Sequence, residues 1–276
     1  MSESPDLAAY FERIGYEGSA DPSLATLEDL HALHVDAIAF ENLSPFLGEA
    51  VKLDLASLEA KLVHGGRGGW CFEQNLLFSH ILIALGFDVT RLAARVRWNV
   101  PAGVVTARSH MLLLVKLKEG DYIADVGFGG QTLTAPLALR AGVEQSTPHE
   151  PFRLAAEGAG YLLEAKIEGA WQALYAFEMH EQQIPDYEVS NWYLCSHPGS
   201  PFLAGVIAAR AAPAARHALR NTRYSVHHSD GTTERRFIAT LDDYLATLSG
   251  PFRIRLPDAP NLRKKLEGVI HANPPQ

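Results

Sequence analysis

Cys71 lies in Arg67-Gly-Gly-Trp-Cys-Phe-Glu-Gln-Asn, between a glycine-rich turn and a stretch in which Leu76, Leu77, Ile81 and Leu85 repeat at three or four. That spacing predicts that the cysteine opens a helix. A free thiol ionises at about pH 8.5, and only the thiolate is a good nucleophile. At a helix N-terminus the unpaired N–H groups and the positive end of the macrodipole favour the anion. The same N–H groups can donate to a developing oxyanion. Gly68 and Gly69 let the chain turn sharply and leave room beside the sulfur. Taken alone, Cys71 also admits a plainer reading as a small buried hydrophobe.

A nucleophilic cysteine normally works with an imidazole, and often with a third group that holds the ring. The chain has 12 histidines, so a histidine by itself decides nothing. His110 differs because it opens the apolar run Met111 to Val115, where most polar residues are costly. Asp125 sits in Ile-Ala-Asp-Val-Gly-Phe, where an unpaired buried carboxylate is heavily penalised. If Lys118 to Asp121 form a hairpin turn around Glu119-Gly120, His110 faces Gly129 and shares one sheet face with Asp125. In that register the two are four positions apart, about 13 Å, beyond hydrogen-bond reach. A shifted register, a bulge or strong coiling is needed to join them. Asp125 alone also reads as an acid satisfied by backbone donors at the Gly127-Phe-Gly-Gly turn.

The elements that must carry these residues are read more coarsely. With 276 residues, 47% of them hydrophobic, the chain can bury a sizeable core. It has no apolar run of about 18 residues, so no membrane span is expected. The N-terminal stretch is polar and acidic, without the basic and apolar regions of a signal peptide. Cys71 and Cys195 are the only cysteines, which argues against a disulfide framework and for a reducing cytoplasm. The net charge of −8 argues against nonspecific nucleic-acid binding. From Pro201 onward, however, eleven Lys/Arg stand against six Asp/Glu. That region reads either as a solvated mixed-charge surface or as an attractor for a phosphorylated cofactor.

Residues 5 to about 86 read as helical. Ser23 is an N-cap candidate, Leu30 to Ile38 a further apolar stretch, and Leu53 to Val63 an amphipathic one stopped by His64-Gly65-Gly66. From Asp88 the pattern changes to short strands: Val89 to Trp98, His110 to Leu117, Tyr122 to Phe128, Phe152 to Leu154, Tyr161 to Ile167 and Trp171 to Phe177. Close spacing with glycine turns suggests an antiparallel sheet or barrel. After Asp186 the reading mixes a helix over Leu203 to Ala212, strands over Tyr224 to His228 and Arg235 to Ala239, and a final helix near Leu262 to Ile270. The expected class is α+β: a helical bundle with the nucleophile (residues 1–86), an antiparallel β-barrel with His110 and Asp125 (87–188) and an α/β lid (189–276).

The Cys71 segment, Ser109-His-Met-Leu-Leu-Leu-Val and Asp125-Val-Gly-Phe-Gly-Gly resemble the three signature segments of arylamine N-acetyltransferases. Phe40-Glu-Asn-Leu, Ser190-Asn-Trp-Tyr, Ser200-Pro-Phe and Leu219-Arg-Asn are also similar to that family, so the resemblance spans nearly the whole chain. One departure is Trp70, where the family usually has tyrosine. The resemblance implies a cysteine-protease-like core with a Cys71–His110–Asp125 triad, which requires that the simple hairpin register be wrong. It also implies acetyl-CoA as co-substrate, a thioester on Cys71, and ping-pong transfer to an aromatic amine, hydrazine or hydroxylamine in xenobiotic metabolism. Phe40, Trp70 and Phe128 become candidates for an apolar pocket wall, and the backbone at Cys71 and Phe72 for the oxyanion site. Gly129 and Gly130 become candidates for close cofactor approach. Each has an ordinary structural alternative.

The Cys, His, Asp order also suits a peptidase-like or transglutaminase-like hydrolase, because transfer and hydrolysis differ in what reaches the thioester. An amide synthase acting on a longer acyl chain and a binding protein with an inert triad remain open too, as does a homodimer. No paired Cys/His spacing supports a metal site, and no Walker-type or Gly-x-Gly-x-x-Gly loop is present, which leaves CoA phosphates to scattered basic groups.

Overall fold

Side-chain caps set where the first helices begin. Asp6 accepts the Ala9 N–H ahead of α1 (Leu7–Ile14), and Ser23 accepts that of Thr26 ahead of α2 (Leu24–Ala37). The Ser23 start is the one expected, whereas the stretch from Leu30 continues the same helix to Ala37, with Ile38 as its extended cap. The computed structural model describes residues 4–101 and 103–274, so the tips of the N-terminal stretch and of the C-terminus lie outside the described residues. After α2 the chain forms a two-residue strand, β1 (Phe40–Glu41), then α3 (Leu43–Leu47) and α4 (Leu55–Leu58). The latter widens into a π-helical turn over Glu59–His64. Helix α5 (Cys71–Ala84) follows, and Gly86 stops it at φ +90°.

The middle of the chain is an eight-stranded antiparallel sheet curled nearly closed. Its strands are β2 (Asp88–Val96), β3 (Arg108–Leu117), β4 (Gly120–Ala124), β5 (Leu137–Ala138), β6 (Glu144–Gln145), β7 (Phe152–Glu157), β8 (Gly160–Ile167) and β9 (Ala170–Glu181). Their order is β5-β4-β3-β2-β9-β8-β7-β6. The two edges meet where the Gln145 side chain donates to the Ala138 carbonyl (2.9 Å) and accepts its N–H (2.8 Å). Strand β3 is covered on both faces, which is why it reads as an unbroken apolar run. Met111, Leu113 and Val115 join the core that contains α5, while Leu112 and Leu114 fill the barrel.

The last third holds α6 (Ile184–Ser196), strands β10 (Ile207–Ala212), β11 (Ala215–Arg220), β12 (Arg223–His228) and β13 (Thr233–Phe237), and helices α7 (Leu241–Ser249) and α8 (Leu262–Ala272). The helix expected over Leu203 to Ala212 is strand β10 instead. Its alanines favour a helix, but it pairs with β1 on one side and β11 on the other. Asn42 holds it in place, accepting the Ile207 N–H and donating to the carbonyls of Phe202 and Gly205. Tertiary pairing has overridden local propensity. Through β1 the helical segment supplies one edge of the C-terminal sheet, β1-β10-β11-β12-β13.

A buried polar chain ties the helices to the loop ahead of Cys71. Tyr10 donates to His34 Nδ1 (2.8 Å), His34 Nε2 donates to Gln74 Oε1 (3.2 Å), and Gln74 Nε2 donates to the Gly69 carbonyl (2.8 Å). Burial drives the pKa of His34 down to about 3 and that of His31 to about 4. Both are neutral when folded, but take up protons in the unfolded chain below pH 6.5. Stability from this source is therefore complete above pH 6.5 and lost as pH falls toward 4. The expected slope is on the order of 2 to 3 kcal/mol per pH unit just below that point. Urea unfolding at pH 7, 6 and 5 measures it; equal stability at the three values would contradict the account.

Candidate active site

The hairpin joining β3 and β4 turns through Lys118 and Glu119, with Leu117 opposite Gly120 and Leu113 opposite Ala124. Gly120 closes the turn at φ +139° instead of occupying its centre. This register differs from the one expected from the sequence. It brings Asp125 alongside Leu112, two positions from His110, so the pair are diagonal neighbours within side-chain reach. His110 Nε2 donates to Asp125 Oδ2 at 2.7 Å. The two residues are 2% and 0% exposed.

The carboxylate is filled on its other oxygen as well. Asp125 Oδ1 accepts from Asn75 Nδ2 and from the Gly127 N–H, each at 2.9 Å. Burial pushes the carboxyl pKa up, but the His110 charge and these donors outweigh it and hold the group below its ordinary value. Burial likewise disfavours the imidazolium, yet Asp125 and the adjacent Cys71 thiol lift the His110 pKa to about 10. The pair is ionic at neutral pH. Nε2 is taken by Asp125, which leaves Nδ1 as the nitrogen for the thiol. Phe128 and Tyr175 pack on the ring at 5.0 and 4.8 Å between centroids.

Cys71 is the first residue of α5, as the glycine-then-helix pattern required. Its Sγ lies 3.7 Å from the Ser109 carbonyl. Ser109 is the extra residue where the β2–β3 register shifts, since Ala94 faces His110 but Arg95 faces Arg108. Such a bulge re-aims the strand end next to a site. Gly127 lets the barrel loop reach the helix start, because a Cβ there would stand 2.7 Å from Cys71 Cα. Glu73 accepts the Trp70 N–H (3.1 Å) and pairs with Lys61 (2.6 Å). Burial raises the Glu73 pKa, and Lys61 opposes that shift. The lysine also offsets a charge that would repel a thiolate at this helix end.

A cavity of about 530 Å3 opens onto the sulfur. Phe40, Phe128, Gly129 and Gly130 line it, together with Phe202, which the sequence reading noted within Ser200-Pro-Phe but gave no pocket role. Trp70 and Phe72 are not among the lining residues. The Trp70 indole donates to Asn191 Oδ1 (3.1 Å) and packs edge-on to Phe202, so it backs the wall. Phe72 is fully buried against Tyr187, leaving only its backbone to face the sulfur side. The far end of the cavity is polar, with Asn99, Gln131, Arg220, Arg223, Ser225 and His227. Asn75 had a legible signal, an amide one turn after Cys71 at the head of the apolar run that begins at Leu76. Of the far-end residues, Arg220 lay in the Leu219-Arg-Asn segment already noted as similar to the family, and Arg223 only in the basic excess after Pro201.

A family model described as N-acetyltransferase matches residues 23–261. The chain is similar to the arylamine N-acetyltransferase of Mycolicibacterium smegmatis, 44% identical over 236 residues, or 84% of this chain and 86% of that one. It is 42% identical to that of Mycobacterium tuberculosis over 257 residues, 92% and 90% of the two chains. Its fold is similar to the structure of the Mycobacterium marinum arylamine N-acetyltransferase in complex with CoA, with a TM-score of 0.91 and 40% identity over 96% of this chain and 98% of that one.

Asn75 joins the helix to both ends of the pair. It donates to Asp125 Oδ1 and the Met111 carbonyl and accepts the Val126 N–H. Asn75→Ala removes three buried hydrogen bonds, to Asp125 Oδ1, the Met111 carbonyl and the Val126 N–H, and is expected to cost about 3 kcal/mol of stability. Urea denaturation reads this directly, and a loss below about 1 kcal/mol would show the bridge to be dispensable.

Proposed function

The chain belongs to the arylamine N-acetyltransferase family, and on that premise we propose that it moves an acetyl group from acetyl-CoA to an aromatic amine, hydrazine or hydroxylamine through a thioester on Cys71. The observation that carries the reading is the 2.7 Å contact of His110 with Asp125 beside the Cys71 thiol. His110 holds the proton and Cys71 attacks as the thiolate. The N–H groups of Cys71 and Phe72, in the first turn of α5, face the developing oxyanion. As the tetrahedral centre collapses, the C–S bond to CoA breaks, His110 protonates the departing sulfur, and the acetyl group stays on Cys71. The amine then attacks the thioester, His110 takes its proton, and the Cys71 thiolate leaves. Asp125 orients the ring and balances its charge throughout.

Acyl acceptor and acyl donor would use opposite ends of the cavity. Phe40, Phe128 and Phe202 offer aromatic faces near the sulfur, suited to an arene. The distal Arg220 and Arg223 stand directly opposite each other across the β11–β12 hairpin. Like charges so placed repel. Neighbouring Arg210, Arg216, Arg236 and Arg253 each pair with an acid, but among the described residues Arg220 and Arg223 do not. An anion between them removes the repulsion, so we assign them to the CoA phosphates. Both cysteines are unpaired, which suits the reducing cytoplasm we propose as the location.

Acetyl-CoA mixed with the enzyme in the absence of acceptor should acetylate Cys71 in a single turnover, seen by intact mass, and Cys71→Ser should not load. Persistent loading of that variant would remove Cys71 as the carrier. Replacing Arg220 and Arg223 together by alanine should raise the KM for acetyl-CoA on the order of tenfold and leave the acceptor KM unchanged. An unchanged acetyl-CoA KM would place the phosphates elsewhere.

A further inference from the structure

Asp125 has every polar atom engaged, and one partner comes from outside the site described above. Its carboxylate takes Asn75, Gly127 and His110, and its carbonyl accepts from Thr132 at 3.0 Å. Its backbone N–H meets no strand carbonyl, because the β3–β4 ladder has ended at Ala124. That N–H donates instead to His31 Nε2, 3.2 Å away, on the third turn of α2.

We propose that His31 is a positioning residue for the triad: its Nε2 accepts the Asp125 N–H and so fixes where β4 ends and the carboxylate turns toward His110. The proposal rests on the triad reading above.

Two observations separate His31 from an ordinary core histidine. Its neighbour His34 uses both ring nitrogens, toward Tyr10 and Gln74. His31 does not. Accepting at Nε2 puts its proton on Nδ1, and that buried atom has no partner among the described residues. A buried donor without an acceptor is destabilising. Packing needs at this position, edge-on to Phe78 within the core, would be met by leucine without that defect. What leucine would lack is an acceptor for the buried Asp125 N–H, so the histidine answers to that amide and not to packing. Burial keeps the ring neutral, as accepting requires. A shift of Asp125 by about 1 Å is enough to misalign His110 with the sulfur.

The test compares His31→Leu, which removes the acceptor, with His31→Gln, whose amide oxygen reaches the Nε2 position. The readout is the rate of Cys71 alkylation by iodoacetamide at neutral pH, alongside single-turnover acetyl loading. His31→Leu should slow alkylation on the order of tenfold and slow loading with it, leaving the KM for acetyl-CoA unchanged. His31→Gln should recover to within about threefold of the native rate. Should the leucine variant not fold, His31→Asn, polar but too short to reach the amide, gives the same comparison. A leucine or asparagine variant as fast as the native protein, or a glutamine variant as slow as leucine, overturns the proposal. Alkylation needs no acyl donor. A slow leucine and a recovered glutamine variant thus support positioning even where acetyl-CoA fails to load Cys71, an outcome that sinks only the acetyl-transfer reading.

Discussion

A carboxylate with no exposed surface survives in a protein interior only while its charge and lone pairs are met, and Asp125 meets that condition with one imidazolium, one amide and one backbone N–H. Removing one partner of such a pair typically costs about 3 to 5 kcal/mol, because a charge is left uncompensated. The fold therefore cannot relax the geometry the chemistry needs. His110 is held charged for the same reason: the acid that must be neutralised lies 2.7 Å from its ring. On the proposed mechanism, the requirement for stability and the requirement for activating the thiol are one requirement.

That constraint reaches outward through the backbone. Asp125 belongs to the barrel, Asn75 and Cys71 to α5, and Gly127 is where the two touch. Any side chain at Gly127 would push the barrel loop off the helix start. On the other side Gly68 lies against the Ala39 carbonyl, with space for a hydrogen but not for a methyl group. Glu41, completely buried, binds Arg67 and the Leu43 N–H there. The loop carrying Cys71 is thus gripped from both sides by close backbone approach, and charge is allowed near it only where Arg67 or Lys61 offsets it.

How much of this was legible follows from which signals are local. The glycine turn, the helix period after Cys71 and the alternation of the barrel strands are local patterns, and the structure follows them. The His110–Asp125 contact was visible as shared parity but not as proximity, because register depends on the turn. Reading Gly120 as the centre of the turn, where it closes the turn, moved Asp125 by two positions. β10 was misread for a related reason: an alanine-rich stretch states a helix preference, and the pairing that cancels it comes from Phe40 and Glu41, far away in sequence. Arg220 was noted only within the family-like Leu219-Arg-Asn stretch, and Arg223 only as part of a basic excess. Their meaning lies in facing one another across a hairpin at a cavity wall, which composition cannot express.

The same topology divides the labour of the site. Cys71, His110 and Asp125, the proposed nucleophile, base and orienting acid, all come from the first two parts of the chain, and their mutual contacts do not involve the third. The cavity does: Phe202, Ala209, Arg220 and Arg223 belong to the C-terminal part and face the sulfur across open space. What fastens that wall is β1, a strand borrowed from the helical part, with Asn42 bonded to Phe202, Gly205 and Ile207 and Arg210 bonded to Asp36. Phe40, at the junction, both pairs with Ala209 and lines the cavity. The wall that would recognise the donor is therefore registered to the nucleophile loop through a few residues on either side of Phe40. A change there would move the cavity wall and the Cys71 loop together, because the Glu41 N–H donates to the Gly69 carbonyl and the Gly69 N–H to that of Ala39.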